Sequence, residues 1–473
     1  MNTIFWHDYE TTGASPSLDR PLQFAGVRTD EELNEVAAPV MFYCKPSREI
    51  LPHPEACLIT GITPQQAERE GLPEPEFIAS VVRELAVPGT CGAGYNSIRF
   101  DDEVTRYSLY RNFFDPYERE WQNGNSRWDI IDMLRLTHAL RPEGIHWPMT
   151  AEGAVTFRLE ELTKANGIAH DAAHDALSDV RATIAMARLV RERQPRLYDY
   201  VYQHRTKHKV AELLDVAARK PFLHVSSRLP RENAYTALMI PLCAHPQNGN
   251  AIIAFNLLAD PRPLLELSAG QIKERVFAAA DALPEGVQRL PLKAVHINRC
   301  PVVATTKLLD SAAAARLGID IARCETHWAL LKDADVAAKL AEVFTADDLP
   351  AKRDPELALY DGFPSPRDKA LFGKVRAAAP QELAVLQTRF QDPRYRELLF
   401  RYRARFHPEC LSEQERVVWE EQRYQMLAEP LPGRLGPDEY FARLDALDAQ
   451  VQGERDRQIL ASLSEWGDRL LSE

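Results

Sequence analysis

The chain has 473 residues, more than one ordinary core holds, so two or three domains are expected. It is 45% hydrophobic and 27% charged, as in a soluble globular protein. Its net charge of −12 argues against a uniformly basic nucleic-acid coat and against a binder of anionic membranes. The start of the chain has no basic region and no long apolar run, and no stretch approaches the length of a membrane span. The seven cysteines are scattered and form no C-x-x-C pair, which fits a reducing cytoplasm and supplies no zinc framework.

In chain order, residues 1–45 predict three strands: Thr3 to Glu10, Leu22 to Arg28 and Val40 to Cys44. Glu76 to Leu85 has helical periodicity, Thr90 to Tyr95 reads as a short strand, and Asp102 to Phe113 as helix. Trp128 to Leu140 predicts an amphipathic helix, as does Leu159 to Asn166, closed by Gly167. A long helix is expected from about Ala176 to Arg193, stopping at Pro195. Together these elements predict an α/β domain of about 200 residues.

Residues 201–300 change character. Short β-rich segments (Phe222 to Val225, Ala234 to Ile240, Ala251 to Phe255, Ala294 to Ile297) predict a small antiparallel barrel or sandwich. From about Pro350 the pattern is helical; Ile459, Leu460, Leu463, Trp466, Leu470 and Leu471 recur at the spacing of a core-facing helix. The charge divides by region. Residues 1–200 are net −11, residues 201–300 are +5, and Arg367 to Arg405 is +6.

The chemistry concentrates in three segments. In the first strand, Asp8 and Glu10 lie two residues apart and so share a face. Two carboxylates on an apolar strand repel and are costly to desolvate, and a divalent cation with oxygen ligands is the natural partner. D-x-E alone is more often a solvated strand edge. Asp101 stands at a helix start, where capping is the ordinary job and Asp102 an equal candidate. His174 precedes the long helix and Asp179 sits in its first turns; an H-x4-D alone is weak, with His170 and Asp171 as plausible bystanders.

In that order, Asp8/Glu10, Asp101 and His174/Asp179 resemble the DEDDh superfamily of 3′→5′ exonucleases. Further stretches resemble bacterial exonuclease I. They include His7-Asp8-Tyr9-Glu10-Thr11, Leu58 to Pro64, Asn125-Ser126-Arg127-Trp128-Asp129, Leu140 to Ile145, Leu162 to Ile168, Val295-His296-Ile297-Asn298 and Tyr402-Arg403-Ala404-Arg405. The resemblance implies an α/β, ribonuclease-H-like exonuclease domain over 1–198. A small Src-homology-like β-barrel domain would follow over 199–348 and a helical domain over 349–473, closing around DNA as a C-shaped body.

The implied function is processive 3′→5′ hydrolysis of single-stranded DNA to 5′-mononucleotides, in DNA repair and recombination. Asp8, Glu10, Asp101 and Asp179 would hold two Mg²⁺ ions, with Mn²⁺ as a substitute, and His174 would act as general base. Glu10 and Arg158 match substrate-binding positions; for Arg158 the plain alternative is a surface ion pair with Glu160 or Glu161. Arg141 matches a position that helps bind the acidic C-terminal tail of single-strand DNA-binding protein. A cytoplasmic, nucleoid-associated monomer with no membrane partner is expected. Two basic runs, His204 to Lys209 and Phe400 to Phe406, read as parts of a DNA groove, against solvated helix faces as the alternative. The competing functions are a ribonuclease-T-like RNA 3′ trimmer and a catalytically idle DNA-binding adaptor.

Overall fold

The computed structural model describes residues 2–170, 175–279, 282–345 and 354–472. Strands β1 (Thr3–Thr11), β2 (Pro21–Thr29), β3 (Val40–Tyr43), β4 (Thr90–Gly94) and β5 (Ser126–Asp129) form a sheet in the order β3-β2-β1-β4-β5. β1 pairs antiparallel with β2, placing Asp8 opposite Ala25 and Glu10 opposite Gln23. On its other edge β1 runs parallel to β4, but only from Thr3 to Trp6. The half of β1 that carries Asp8 and Glu10 therefore runs past the pairing with β4, at the end of the sheet where α/β folds bind ligands. Alternation sends Phe5 and Tyr9 into a core with Phe24, Phe77 and Val81, leaving Asp8 and Glu10 for the opposite face.

The chain divides into two compact units that do not follow chain order. The first takes the described parts of 1–126, 170–184 and 350–473; the second takes 127–169 and 185–349. In the first unit the C-terminal helices share cores with the segments around the first sheet. Leu51 and Cys57 pack with Tyr440, Leu463 and Trp466, and Tyr110 and Phe113 pack with Phe372, Phe390 and Leu399. Of the expected core-facing set, Ile459, Leu460, Leu463, Trp466 and Leu470 are buried in the helix Glu454–Ser472, whereas Leu471, one step further round the helix, is exposed.

The second unit holds an antiparallel sheet of β6 (Phe222–Val225), β7 (Thr236–Ala244), β8 (Ala251–Asn256), β9 (Leu292–His296) and β10 (Val302–Thr305). Its order is β10-β6-β7-β8-β9. Helices Ala269–Phe277, Ser311–Arg316, Ile321–Leu331 and Ala337–Phe344 accompany it.

Two expected boundaries shift for local reasons. The helix expected from Trp128 begins at Ile131. Trp128 and Asp129 belong to β5; the Trp128 indole is buried against Tyr198 and Tyr202, and the Asp129 carboxylate accepts from the Ile131 N–H at 3.1 Å. The strand expected from Ala234 begins at Thr236, because Ala234 and Tyr235 have φ of 49° and 59° and cannot extend.

Candidate active site

Three carboxylates converge. Asp8 and Glu10 come from β1 and Asp179 from the first turn of the helix Ala176–Arg193, and one oxygen from each lies within 4.8 Å of the others. Asp179 is held by its helix start: Asp175 accepts from the Ser178 N–H at 3.1 Å, and the Asp175 carbonyl accepts from the Asp179 N–H at 3.0 Å.

Asp101 is the first residue of the helix Asp101–Arg111 and is buried, yet its side chain does not cap that helix. Its Oδ1 instead accepts from the Tyr9 N–H at 3.0 Å, tying the helix to the backbone between Asp8 and Glu10. Asp102 does not cap either; it pairs with Arg119 at 2.5 Å, both buried. Asp101 lies outside the tight trio, but its charge acts on it.

The electrostatics of the group are one-sided. Burial, then the charges of Asp179, Asp101 and Asp175, push Glu10 up to about 9. Burial, then Asp101, Glu10 and Asp179, raise Asp8 well above the ordinary carboxylate range. Among the described residues no Lys or Arg pairs with Asp8 or Glu10. Such a group cannot ionise fully near neutrality without an added positive charge. Its donors are all hard oxygens at one locus, and they fit a divalent cation.

One neighbour read in the sequence as a bystander is brought into contact with the trio. The His170 ring, 5% exposed, contacts Asp179 Oδ1 through Nε2 at 2.5 Å. A histidine nine residues before its partner has no periodic signature. His174 lies outside the described residues.

The two basic runs part company. Arg401, Arg403 and Arg405 are not presented to solvent; they pair with Asp354, Glu415, Glu356 and Glu49. Phe400 packs with Ala404, Leu411 and Trp419 in a small core. The expected groove at Phe400 to Phe406 is thus a structural ion network, because every second residue of the run meets an acid from another segment. In the other run Lys207, His208 and Lys209 are exposed, and Arg205 stacks on Tyr202 at 3.7 Å.

Exposed aromatics appear elsewhere in the first unit. Phe363 is 84% and Trp121 64% exposed; Phe363 meets Tyr117 edge-on at 5.9 Å, and the Arg106 guanidinium lies 5.3 Å from the Tyr117 ring. The sequence signal was a tryptophan inside the polar stretch Glu118-Arg119-Glu120-Trp121-Gln122-Asn123. In the second unit Arg158 is largely exposed, with only a 4.0 Å approach to Glu161. Arg141 pairs with Asp310 at 3.2 Å and is one-third exposed.

Family models match along almost the whole chain: "Exonuclease" over residues 5–187, "Exonuclease I SH3-like domain" over 205–346 and "Exonuclease I C-terminal domain" over 353–470. The exodeoxyribonuclease I of Escherichia coli is 47% identical over 90% of each chain. That of Haemophilus influenzae is 42% identical over 99% of each. The chain belongs to the exonuclease I family.

Solved exonuclease I structures superpose closely. That from the moderately thermophilic Methylocaldum szegediense has a TM-score of 0.94 at 51% identity, with both chains fully covered. E. coli exonuclease I in complex with a dA16 oligonucleotide has a TM-score of 0.93 at 44% identity, covering 99% of this chain and 100% of that one. Two more at 44% identity are a zinc-bound E. coli exonuclease I–single-stranded DNA complex (TM-score 0.92, both chains fully covered) and an SSB/exonuclease I complex with an inhibitor (TM-score 0.90, 99% and 100% covered). The mixed α/β exonuclease domain, the SH3-like domain and the helical C-terminal region are those of exonuclease I, and an exonuclease domain of this kind implies divalent metal ions. Among the described residues no helix is long and apolar enough to cross a membrane.

Proposed function

We propose that this chain hydrolyses single-stranded DNA from its 3′ end and releases 5′-mononucleotides. The observation that carries the reading is the trio Asp8, Glu10 and Asp179, crowded within 4.8 Å, with the charges of Asp101 and Asp175 acting on it as well. Asp8, Glu10, Asp101 and Asp179 would hold a pair of divalent cations, Mg²⁺ with Mn²⁺ as substitute. When bound, such ions lower the pKa of water and offset the charge that builds on phosphorus and the leaving 3′ oxygen.

The protein's own contribution is placement and proton transfer. Asp101 fixes the β1 backbone between two ligands, and His170 fixes the carboxylate of Asp179. His174 takes the proton of the attacking water, and Glu10 and Arg158 are each read as substrate-binding. The exposed aromatics Trp121 and Phe363 supply stacking surface for bases. Similarity to structures with bound single-stranded DNA supports that substrate, and the SSB/exonuclease I complex supports single-strand DNA-binding protein as a partner. An acidic tail arriving at Arg141 would replace Asp310 as its counter-ion. The domain division 1–198, 199–348 and 349–473, processive action in DNA repair and recombination, a monomeric state and a cytoplasmic, nucleoid-associated location belong to the same reading.

The test is degradation of 3′- and 5′-labelled single-stranded DNA, duplex DNA and RNA, with Mg²⁺ or with EDTA. Mg²⁺-dependent release of mononucleotides from the 3′ end of single-stranded DNA is expected. Activity confined to RNA favours the trimmer, and no cleavage of any substrate favours the adaptor.

A further inference from the structure

Within the first unit, the loop after β3 and the C-terminal helices enclose a cavity of about 1060 Å³. None of the four carboxylates of the candidate active site lines it. Arg20 and Arg405 line it, with Glu49 and Glu74, and belong to a knot of arginines and carboxylates. Arg405 reaches Glu49 through Nε and Glu356 through Nη1, both at 2.5 Å. Arg20 also pairs with Glu356, and Arg111 pairs with Glu74 at 2.6 Å. Arg434 has no carboxylate partner among the described residues; its Nε donates to the Leu18 carbonyl at 3.3 Å.

This knot holds more donors than acceptors. Arg111 Nη1, Arg405 Nη2 and Arg434 Nη2 are buried without a hydrogen-bond acceptor among the described residues, and Glu49 Oε1 and Glu356 Oε1 without a well-aligned donor; of these arginines Arg405 lines the cavity, and Arg111 and Arg434 do not. Burial and the charge of Arg20 depress both Arg111 and Arg434, the latter to about 10. A guanidinium does not relieve such crowding by giving up its proton. Water would satisfy the donors but leave the excess positive charge; an anion answers both.

The rest of the cavity fits the same ligand. At its rim stand the exposed Lys45 and Arg416, which have no carboxylate partner among the described residues. Its apolar wall is Pro46, Pro73, Phe406, Leu411 and Trp419, the last with Arg405 5.5 Å from its ring; the lining acids Glu49, Glu68, Glu74 and Glu420 are engaged by Arg405, Arg48, Arg111 and Arg423, and the exposed Glu409 lies 3.8 Å from His407. A free phosphate would leave that wall and most of the volume unused, whereas the size suits a small organic ligand. We propose that this cavity binds a nucleoside phosphate, its phosphate toward Arg405, Lys45 and Arg416 and its base against the Trp419 wall. The mononucleotides of the proposed reaction are one source of that chemistry and nucleoside triphosphates another. The site itself stands apart from that reading.

The test is calorimetric titration of the full-length protein, in EDTA, with dAMP, dATP, inorganic phosphate and deoxyadenosine. The exposed rim is altered in the double variant Lys45→Glu/Arg416→Glu, and the active site in Asp179→Asn. One dAMP or dATP per chain is expected, weakened about tenfold or more by the rim variant, where like charges now meet the phosphate, and unchanged by Asp179→Asn. The tighter of the two nucleotides identifies the source. No nucleotide binding at millimolar concentration, or binding lost with Asp179→Asn and indifferent to the rim variant, overturns the proposal. Deoxyadenosine binding as tightly as dAMP overturns the role of the phosphate, and inorganic phosphate binding as tightly overturns that of the base.

Discussion

Two buried clusters of charge in the first unit are built in opposite ways. Around Asp8 and Glu10 the neighbouring charges are other carboxylates, Asp101, Asp175 and Asp179, and they add to burial in raising both groups. Around Glu356, burial alone would raise the carboxyl, yet the charges of Arg405, Arg20 and Arg401 hold it well below its ordinary value. The second cluster gives each of its carboxylates an arginine, and it ties the C-terminal helices to Arg20 ahead of β2 and to the loop after β3. The first leaves its charge for something brought from outside. A fold that tolerates unpaired buried acids at one place while pairing them fully at another marks the unpaired place as functional.

This contrast sets the expected effects, the largest first. Asp179→Asn, or His174→Ala, lowers the rate on single-stranded DNA by roughly 10³-fold or more, read in a steady-state nuclease assay. Calorimetric Mn²⁺ titration separates the two: His174→Ala leaves metal binding largely intact and Asp179→Asn does not. Near wild-type turnover in either variant removes that residue from the mechanism.

In the paired cluster the same kind of change has the other outcome. Glu356→Gln leaves Arg20, Arg401 and Arg405 without their shared counter-charge and destabilises the fold by about 3–5 kcal/mol, measured by urea unfolding. In the metal-free protein Asp8→Asn raises the melting temperature instead, because it removes repulsion. If both substitutions shift stability the same way, the contrast between the clusters fails.

His170→Ala frees the Asp179 carboxylate and weakens metal affinity or rate by roughly 10–100-fold, as loss of a ligand's supporting hydrogen bond does. An unchanged Mn²⁺ affinity and rate make His170 a bystander.

The smallest effect is the response to pH. Between the ordinary glutamate value and about 9, folded Glu10 keeps a proton that the unfolded chain has released. In EDTA its contribution therefore falls as pH rises through that window and levels off above it. Glu356 runs the other way: its contribution is complete above the ordinary value and is lost as pH falls through its depressed folded value. Melting temperatures in EDTA from pH 5 to 9 check this, with a shallower decline expected in Glu10→Gln and with Mg²⁺. An equal slope in Glu10→Gln assigns the pH response to other groups.

Much of the site was legible in the chain because it rests on short-range regularities. Strand alternation alone places Asp8 and Glu10 on one face, and helical phase alone puts Asp179 in a first turn. What each remaining charge does was a tertiary decision. Asp101 and Asp102 are neighbours at one helix start, yet one binds the backbone of β1 and the other Arg119. Arg401, Arg403 and Arg405 have the spelling of a DNA-binding run, but acids from distant segments claim them. Local periodicity follows from backbone geometry and so can be read from sequence. The partner of a long charged side chain depends on which distant segment folds against it, and that is settled only when the chain closes on itself.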